Sequence, residues 1–378
     1  MHRLFSPLFL LFCLLPGIAA SADAPLTAPY VAARSYTLIE VESGQPLAAL
    51  NPDQRVEPAS LTKLMTAYLT FKALREKTLS PSQTIPVSQH AWKAEGSRMF
   101  IEPQKPVTVD ELIHGVIIQS GNDASIALAE AIAGSEDAFA ERMNKMASDL
   151  GMGGTHFVNA TGLPNPQHYT TARDLGVLVS ALIRNFPEYY PLYAIKEYRY
   201  NGITQPNRNR LLWMDPTVDG LKTGHTESAG YCLISSARRG DRRLLAIVLG
   251  TSSDSARTTE SQKLLNWGFQ TFETQHLFQK DVAIKTLPVF KGAAREVRAG
   301  FSEEIWTTHP SGEGARLKQT LTTLQPIVAP VAAGQKLGTL EISYDGKPVA
   351  SHDLVALESV PVGNAFTRGW DTVRLMLK

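Results

Sequence analysis

The chain has 378 residues, with 37 Lys and Arg against 36 Asp and Glu, and a formal net charge of +1. That length predicts two or three domains, and 43% hydrophobic residues is an ordinary globular composition. Balanced charge excludes nucleic-acid binding driven by a basic surface, so no nucleic-acid partner is expected.

His2 and Arg3 precede a largely apolar run from Leu4 to Ile18, and Ala20-Ser21-Ala22 follows with small residues. This predicts a secretory signal peptide over residues 1–22, and hence export. Of the two cysteines, Cys13 lies in that segment, so Cys232 has no intramolecular partner. Cys232 sits in the apolar run Tyr231-Cys232-Leu233-Ile234, which predicts buried packing and not a reactive thiolate. The nine histidines show no metal-site spacing, and no metal is expected.

Residues 35–41 have β character, 42–46 are turn residues and 47–50 return, which reads as a hairpin. Next comes Glu57-Pro58-Ala59-Ser60-Leu61-Thr62-Lys63-Leu64-Met65. Leu61, Leu64, Met65, Tyr68 and Leu69 recur at the spacing of one helical face, so a buried helix is expected from Pro58. Ser60 and Lys63 then lie one turn apart. A serine hydroxyl near pH 7 needs a base beside it, and a lysine serves only where burial or other cations make its amine neutral. The helix N-terminus would also favour negative charge developing near Ser60.

Residues 71–107 are mixed and carry several prolines. A helix is expected over 109–118, ending at Ser120-Gly121-Asn122, and another from there to about Ala133. A Ser and an Asn at such a corner are ordinary caps, but they can also supply a proton relay and an amide for a substrate carbonyl. Residues 135–150 and 170–185 read as helices, 151–162 as a loop, and 186–215 as irregular and aromatic. Residues 218–225, 230–237 and 244–250 read as an antiparallel meander, with Lys222-Thr223-Gly224 on its first strand. A glycine there signals close approach of another backbone or a ligand. A closing helix holds Leu264, Leu265, Trp267 and Phe269. Helices enclosed between β segments predict an α+β domain with an antiparallel sheet.

From about residue 280 the chain becomes short and β-rich, with Asp345-Gly346 a strong two-residue hairpin turn. The expected organisation is a signal peptide over 1–22, a catalytic domain over 23–279, a small all-β domain over 280–361 and an amphipathic helix over 362–378. On that helix Phe366, Trp370, Val373 and Leu377 share a face, as in helices that lie in a membrane interface.

Ser-x-x-Lys, Ser-Gly-Asn and Lys-Thr-Gly in this order resemble the motif set of penicillin-binding proteins and class A β-lactamases. With Ser-Gly-Asn in the middle, the chain is similar to the low-molecular-mass D-alanyl-D-alanine carboxypeptidases. Ile118-Gln119 before that motif, Asp219-Gly220-Leu221 before Lys222, His225 after Gly224, and Lys263 to Phe269 extend the likeness. The resemblance implies the penicillin-binding/β-lactamase-like transpeptidase fold. It implies release of the terminal D-alanine from peptidoglycan pentapeptides through an acyl-enzyme on Ser60, and covalent inhibition by β-lactams.

Lys63 would then take the Ser60 proton, and Ser120 would relay one to the leaving D-alanine. Asn122 would hold the substrate amide. Lys222, Thr223 and Arg257 would bind the terminal carboxylate, with Arg208 supporting the cleft. The backbone N–H groups of Ser60 and His225, beside Gly224, would form the oxyanion hole. Water completes the cycle, so no cofactor is implied. The implied location is the periplasmic face of a bacterial inner membrane, held by the terminal helix. Some relatives have His-Gly-Leu where this chain has Thr161-Gly162-Leu163, bordering the site. Alternatives are a D,D-endopeptidase, a weak β-lactamase on the same fold, or a non-turnover wall-binding scaffold. The absence of a recognisable class A deacylation glutamate argues against an efficient β-lactamase.

Overall fold

The computed structural model describes residues 26–376; the expected signal peptide, Cys13 and Leu377 lie outside them. The centre of the fold is an antiparallel sheet of five strands. In chain order these are β1 (Ser35–Glu40), β2 (Pro46–Leu50), β3 (Val218–Thr226), β4 (Gly230–Arg239) and β5 (Arg242–Thr251). Their spatial order is β2-β1-β5-β4-β3, so the hairpin near the chain start pairs with the end of the meander and β3 is left at an edge. The expected hairpin and meander are both present.

Strand alternation builds a core on each face of this sheet. Leu245, Ile247 and Leu249 of β5 face the larger core, while Leu244, Ala246 and Val248 face the other way. The larger core is organised on helix α1 (Lys63–Arg75), with α2 (Asn122–Ala133) and α3 (Ala172–Asn185) around it. The smaller one lies beneath α4 (Asp254–Thr271), which supplies Leu264 and Leu265. Thr171 and Ser253 cap α3 and α4 through side-chain oxygens that accept the N–H groups of Asp174 and Ala256.

Three local readings need correction. The helix expected from Pro58 begins as a tight 3₁₀ turn over Ala59–Thr62 and becomes α-helical only at Lys63. It is enclosed on nearly every side: Thr66 and Thr70 are as buried as the apolar positions, and their hydroxyls donate to the Ala160 and Thr66 carbonyls. Burial on all sides leaves no polar face for the periodicity to report.

The helix expected over 109–118 is α-helical only from Val109 to His114. It then widens into a π-type turn over Gly115–Gln119 and ends at Ser120 in the left-handed region, φ 59°. Gly115 packs flush on Met99, whose Sδ would lie 2.2 Å from an added Cβ.

Residues 186–215 are not irregular throughout. Glu197–Tyr200 pairs with Ile203–Pro206 across Asn201-Gly202, both at positive φ. Asn-Gly is the pair such a turn favours, so the signal was present in the sequence. This hairpin is tied to the helical lobe by Gln205 Nε2 donating to the Arg98 carbonyl and Gln119 Nε2 to the Tyr198 carbonyl. It thereby sets the position of the following Asn207-Arg208-Asn209.

After α4 the chain is β-rich. Phe272–Phe278 pairs with Ile305–Pro310, and six further strands form a sheet with its own core, including Val297, Phe301, Leu340, Ile342 and Leu354. Asp345-Gly346 makes the expected turn between Lys336–Tyr344 and Lys347–Ala356. The β1–β2 turn touches this region, where Ser43 Oγ meets Thr308 Oγ1 at 2.8 Å and the Thr308 N–H donates to Gln45 Oε1. A terminal helix, α5 (Ala365–Met376), is pinned by the buried Asp371 carboxylate, which accepts the Lys291 N–H at 2.6 Å.

One glycine fixes how the first turn of the α1 segment sits. Gly162 has φ +84°, and an added Cβ would lie 1.8 Å from the Ala59 carbonyl oxygen. Both the conformation and the contact exclude a side chain. Gly162→Ala should therefore lose more than about 2 kcal/mol of stability in urea unfolding. A variant as stable as the parent would contradict this packing.

Candidate active site

The 3₁₀ turn presents Ser60, half-buried, at the floor of a cleft of about 650 Å³. Ser120, Arg208, Thr223, Gly224, His225 and Arg257 line the same cleft. Lys63, Asn122 and Lys222 are buried beside it. The ten residues singled out from the sequence thus converge from the α1 turn, the π-type turn, the start of α2, the segment after the small hairpin, β3 and α4.

Lys63 is 1% exposed. Its Nζ donates to Asn122 Oδ1 at 2.7 Å, to the Thr161 carbonyl at 2.6 Å and to Ser60 Oγ at 3.1 Å. Burial, then the nearby Arg208 cation, pull its pKa down to about 7, while Asp123 and Glu136 oppose the fall. The nitrogen's four tetrahedral positions are thereby accounted for. One carries the side chain, and two N–H groups are held by pure acceptors. The last faces Ser60 and bears a proton in the ammonium or a lone pair in the amine.

Lys222, 3% exposed, donates to Ser120 Oγ at 2.8 Å and to the Thr223 carbonyl at 3.0 Å. Its pKa lies well below the usual lysine range, first from burial and then from Lys63, Arg208 and Arg257. Two buried lysines thus each contact a serine hydroxyl that lines the cleft.

The other positions are built from local structure. Asn122 opens α2. Besides accepting from Lys63 it donates through Nδ2 to the Glu95 carbonyl, so it braces the Lys63 amine as well as the segment leading to Gly96 and Ser97. Gly224 lets β3 lie against the turn that carries Ser60, where an added Cβ would meet the Pro58 carbonyl oxygen at 3.1 Å. Arg257 is buried in the first turn of α4, pairs with Asp254 and donates to the Gly224 carbonyl at 3.3 Å. His225 packs against Tyr231, its partner across the β3–β4 ladder, with ring centroids 4.0 Å apart and the rings tilted by 37°.

Several contributors were not singled out from the sequence. Asp123 is fully buried, and its carboxylate accepts the N–H groups of Met99, Phe100 and Ile101. It thus fastens the 96–101 segment, which carries the cleft residues Gly96 and Ser97, to the Ser-Gly-Asn corner. Asp123 reads as a cap in the sequence, and only the fold shows which N–H groups it holds. Thr161 acts through its backbone, to which composition is blind. Tyr231, Arg210 and Asp254 also line the cleft; the spacing of Asp254 and Arg257, three apart on a helix, was the available signal. Cys232 is buried as expected, and burial raises its thiol pKa.

Comparison with known proteins follows the same lines. The family model of D-alanyl-D-alanine carboxypeptidase matches residues 21–253, and that of the penicillin-binding protein 5 C-terminal domain matches residues 272–362. The chain is 42% identical over 365 residues to D-alanyl-D-alanine carboxypeptidase DacC of Escherichia coli (strain K12), covering 94% of this chain and 91% of the relative. Penicillin binding protein 5 from Haemophilus influenzae matches in structure with a TM-score of 0.84 at 39% identity, covering 89% of this chain and 99% of that one. Penicillin-Binding Protein D2 from Listeria monocytogenes, solved in the ampicillin-bound form, matches with a TM-score of 0.60 at 32% identity, over 64% of this chain and 99% of that one. Motifs, buried lysines and cleft agree with these likenesses, and the chain belongs to the family of serine-type D-alanyl-D-alanine carboxypeptidases, the penicillin-binding proteins of the type 5 fold.

Proposed function

We propose that Ser60 is the nucleophile and Lys63 its base in release of the terminal D-alanine from peptidoglycan stem peptides. The observation that carries this assignment is the Lys63 amine. Asn122 Oδ1 and the Thr161 carbonyl hold two of its N–H groups, so its lone pair, when neutral, faces Ser60 Oγ at 3.1 Å. Attack by Oγ on the carbonyl carbon moves the Ser60 proton to Nζ. The charge that develops on the carbonyl oxygen is met by the backbone N–H groups of Ser60 and His225. An edge strand such as β3 leaves N–H groups unpaired on its open side, which supports that second donor.

Collapse of the tetrahedral species breaks the C–N bond. The leaving amine takes a proton through Ser120, whose hydroxyl is held by Lys222. Thr223 and Arg257 bind the terminal carboxylate, Asn122 orients the substrate amide and Arg208 supports the cleft. Water then attacks the ester and restores Ser60. A β-lactam would enter the same path and remain as an ester on Ser60.

We infer the same organisation as from the sequence: signal peptide over 1–22, catalytic domain over 23–279, β domain over 280–361 and a terminal membrane-surface helix. Phe366 and Met376 are more than three-quarters exposed, and Trp370 and Val373 more than half, all on α5. Among the described residues no helix is long and apolar enough to cross a membrane, so attachment would be interfacial. The location that follows is the periplasmic face of the inner membrane. Replacing Phe366 and Trp370 by Asp should abolish flotation with anionic vesicles, and unchanged flotation would contradict the assignment.

The primary test is D-alanine release from an acyl-D-Ala-D-Ala peptide. Ser60→Ala should lower it at least about 10³-fold and remove the covalent β-lactam adduct seen by mass spectrometry. Retained release, or an adduct on another residue, would overturn Ser60 as nucleophile. The rate should also depend on pH. Below about 7 the Lys63 amine is protonated and cannot accept, so kcat/KM should rise with pH through about 7 and then level. Removing the Arg208 cation should raise the Lys63 pKa, so Arg208→Ala should move that limb to higher pH. A limb that stays in place would show that Arg208 does not act on the base.

A further inference from the structure

Beyond the end of the cleft formed by Arg257, the surface opens into a neighbouring cavity of about 380 Å³. Arg208, Arg210, Asp254 and Arg257 form a wall common to both cavities. Pro206 and Trp213 lie on the far side, with Trp213 half-exposed.

The charges on this wall do not balance. Three guanidiniums face one carboxylate, a formal excess of two positive charges. Asp254 is fully engaged between two of them: its Oδ2 accepts from Arg210 Nε at 2.6 Å, and its Oδ1 from Arg257. Arg208 makes no hydrogen bond or ion pair among the described residues. A bound terminal carboxylate would neutralise one of the two excess charges. One guanidinium's worth remains, beside a flat apolar surface suited to a short methylene stem.

We propose that this cavity is a leaving-side subsite for a terminal D-residue with a second carboxylate, such as D-glutamate or D-aspartate, read by Arg210 and Arg208. The proposal rests on the carboxypeptidase reading above and adds a substrate class to it. The α-carboxylate of the leaving residue would sit at Thr223 and Arg257. Its side-chain carboxylate would reach past Asp254 toward Arg210 and Arg208, with its methylenes against Trp213 and Pro206.

The test compares kcat/KM for acyl-D-Ala-D-Glu with the uncharged isostere acyl-D-Ala-D-Gln, with acyl-D-Ala-D-Ala beside them. Isosteres isolate charge from size. The parent enzyme should prefer D-Glu over D-Gln about fivefold at low salt, as expected of a partly exposed ion pair. The preference should approach parity at about 1 M salt, where screening is short-ranged. In Arg210→Gln the ratio should fall toward one, and Arg210→Lys should retain most of it. Ratios within one variant are insensitive to a general loss of folded enzyme.

Release of D-Ala together with D-Gln turned over as well as D-Glu by the parent would overturn the subsite and leave the carboxypeptidase reading standing. Failure to release D-Ala from acyl-D-Ala-D-Ala would overturn both. A preference that survives Arg210→Gln unchanged would overturn Arg210 as its reader.

Discussion

The catalytic part of this molecule depends on one amine kept out of water. Lys63 gives up hydration to lie at the base of the α1 segment, and among the described residues its nitrogen has three partners, none acidic: a hydroxyl, a side-chain amide and a backbone carbonyl. A pKa held near 7 in place of 10.5 represents about 5 kcal/mol of preference for the neutral form. The surrounding core must bear that cost, and the enclosure of α1 on nearly every side supplies the apolar contacts that do so. The same burial that makes the lysine expensive is what would let it serve as the base proposed for Ser60.

The rest of the site follows from bringing partners to that amine. Asn122 comes from a left-handed corner that a non-glycine residue, Ser120, adopts at the end of a widened helical turn. Ala59, just before the nucleophile, also has positive φ. Such conformations cost of order 1–3 kcal/mol each and persist only where the surroundings hold them. Here the holding groups are visible: Gly162 against Ala59, Asp123 binding three successive N–H groups, and β3 flush on the nucleophile turn through Gly224. Placing Lys222 on an edge strand then leaves the cleft open along β3 while a second buried lysine amine donates to Ser120 Oγ.

What was legible in the sequence was what repeats or punctuates. Apolar runs such as Leu244–Leu249 around a short turn marked the meander, cap residues marked the corner before the helix from 122, and Asp345-Gly346 marked its turn. Ser60, Lys63, Ser120 and Lys222 were legible because their spacings are short and their order is specific. The shape of the 3₁₀ start and the π-type turn was not, since both arise from packing against Met99, Ala59 and Gly162 and not from local preference. The Asn201-Gly202 pair is a hairpin signal in its own right, set within an aromatic stretch whose neighbours suggest no regular element. The Thr161 carbonyl could not be read at all, because any residue supplies a carbonyl and only the fold says which one meets Lys63.

The central claim is that Lys63 is a neutral-capable amine in the resting enzyme, and the most direct measurement is its own titration. NMR of the enzyme carrying ¹³C at lysine Cε, with Lys63→Arg to assign the resonance, reads the protonation of that one nitrogen. The account predicts a midpoint near 7 for Lys63, far below the exposed lysines. A Lys63 that stays an ammonium up to about pH 10, the ordinary lysine range, would contradict it.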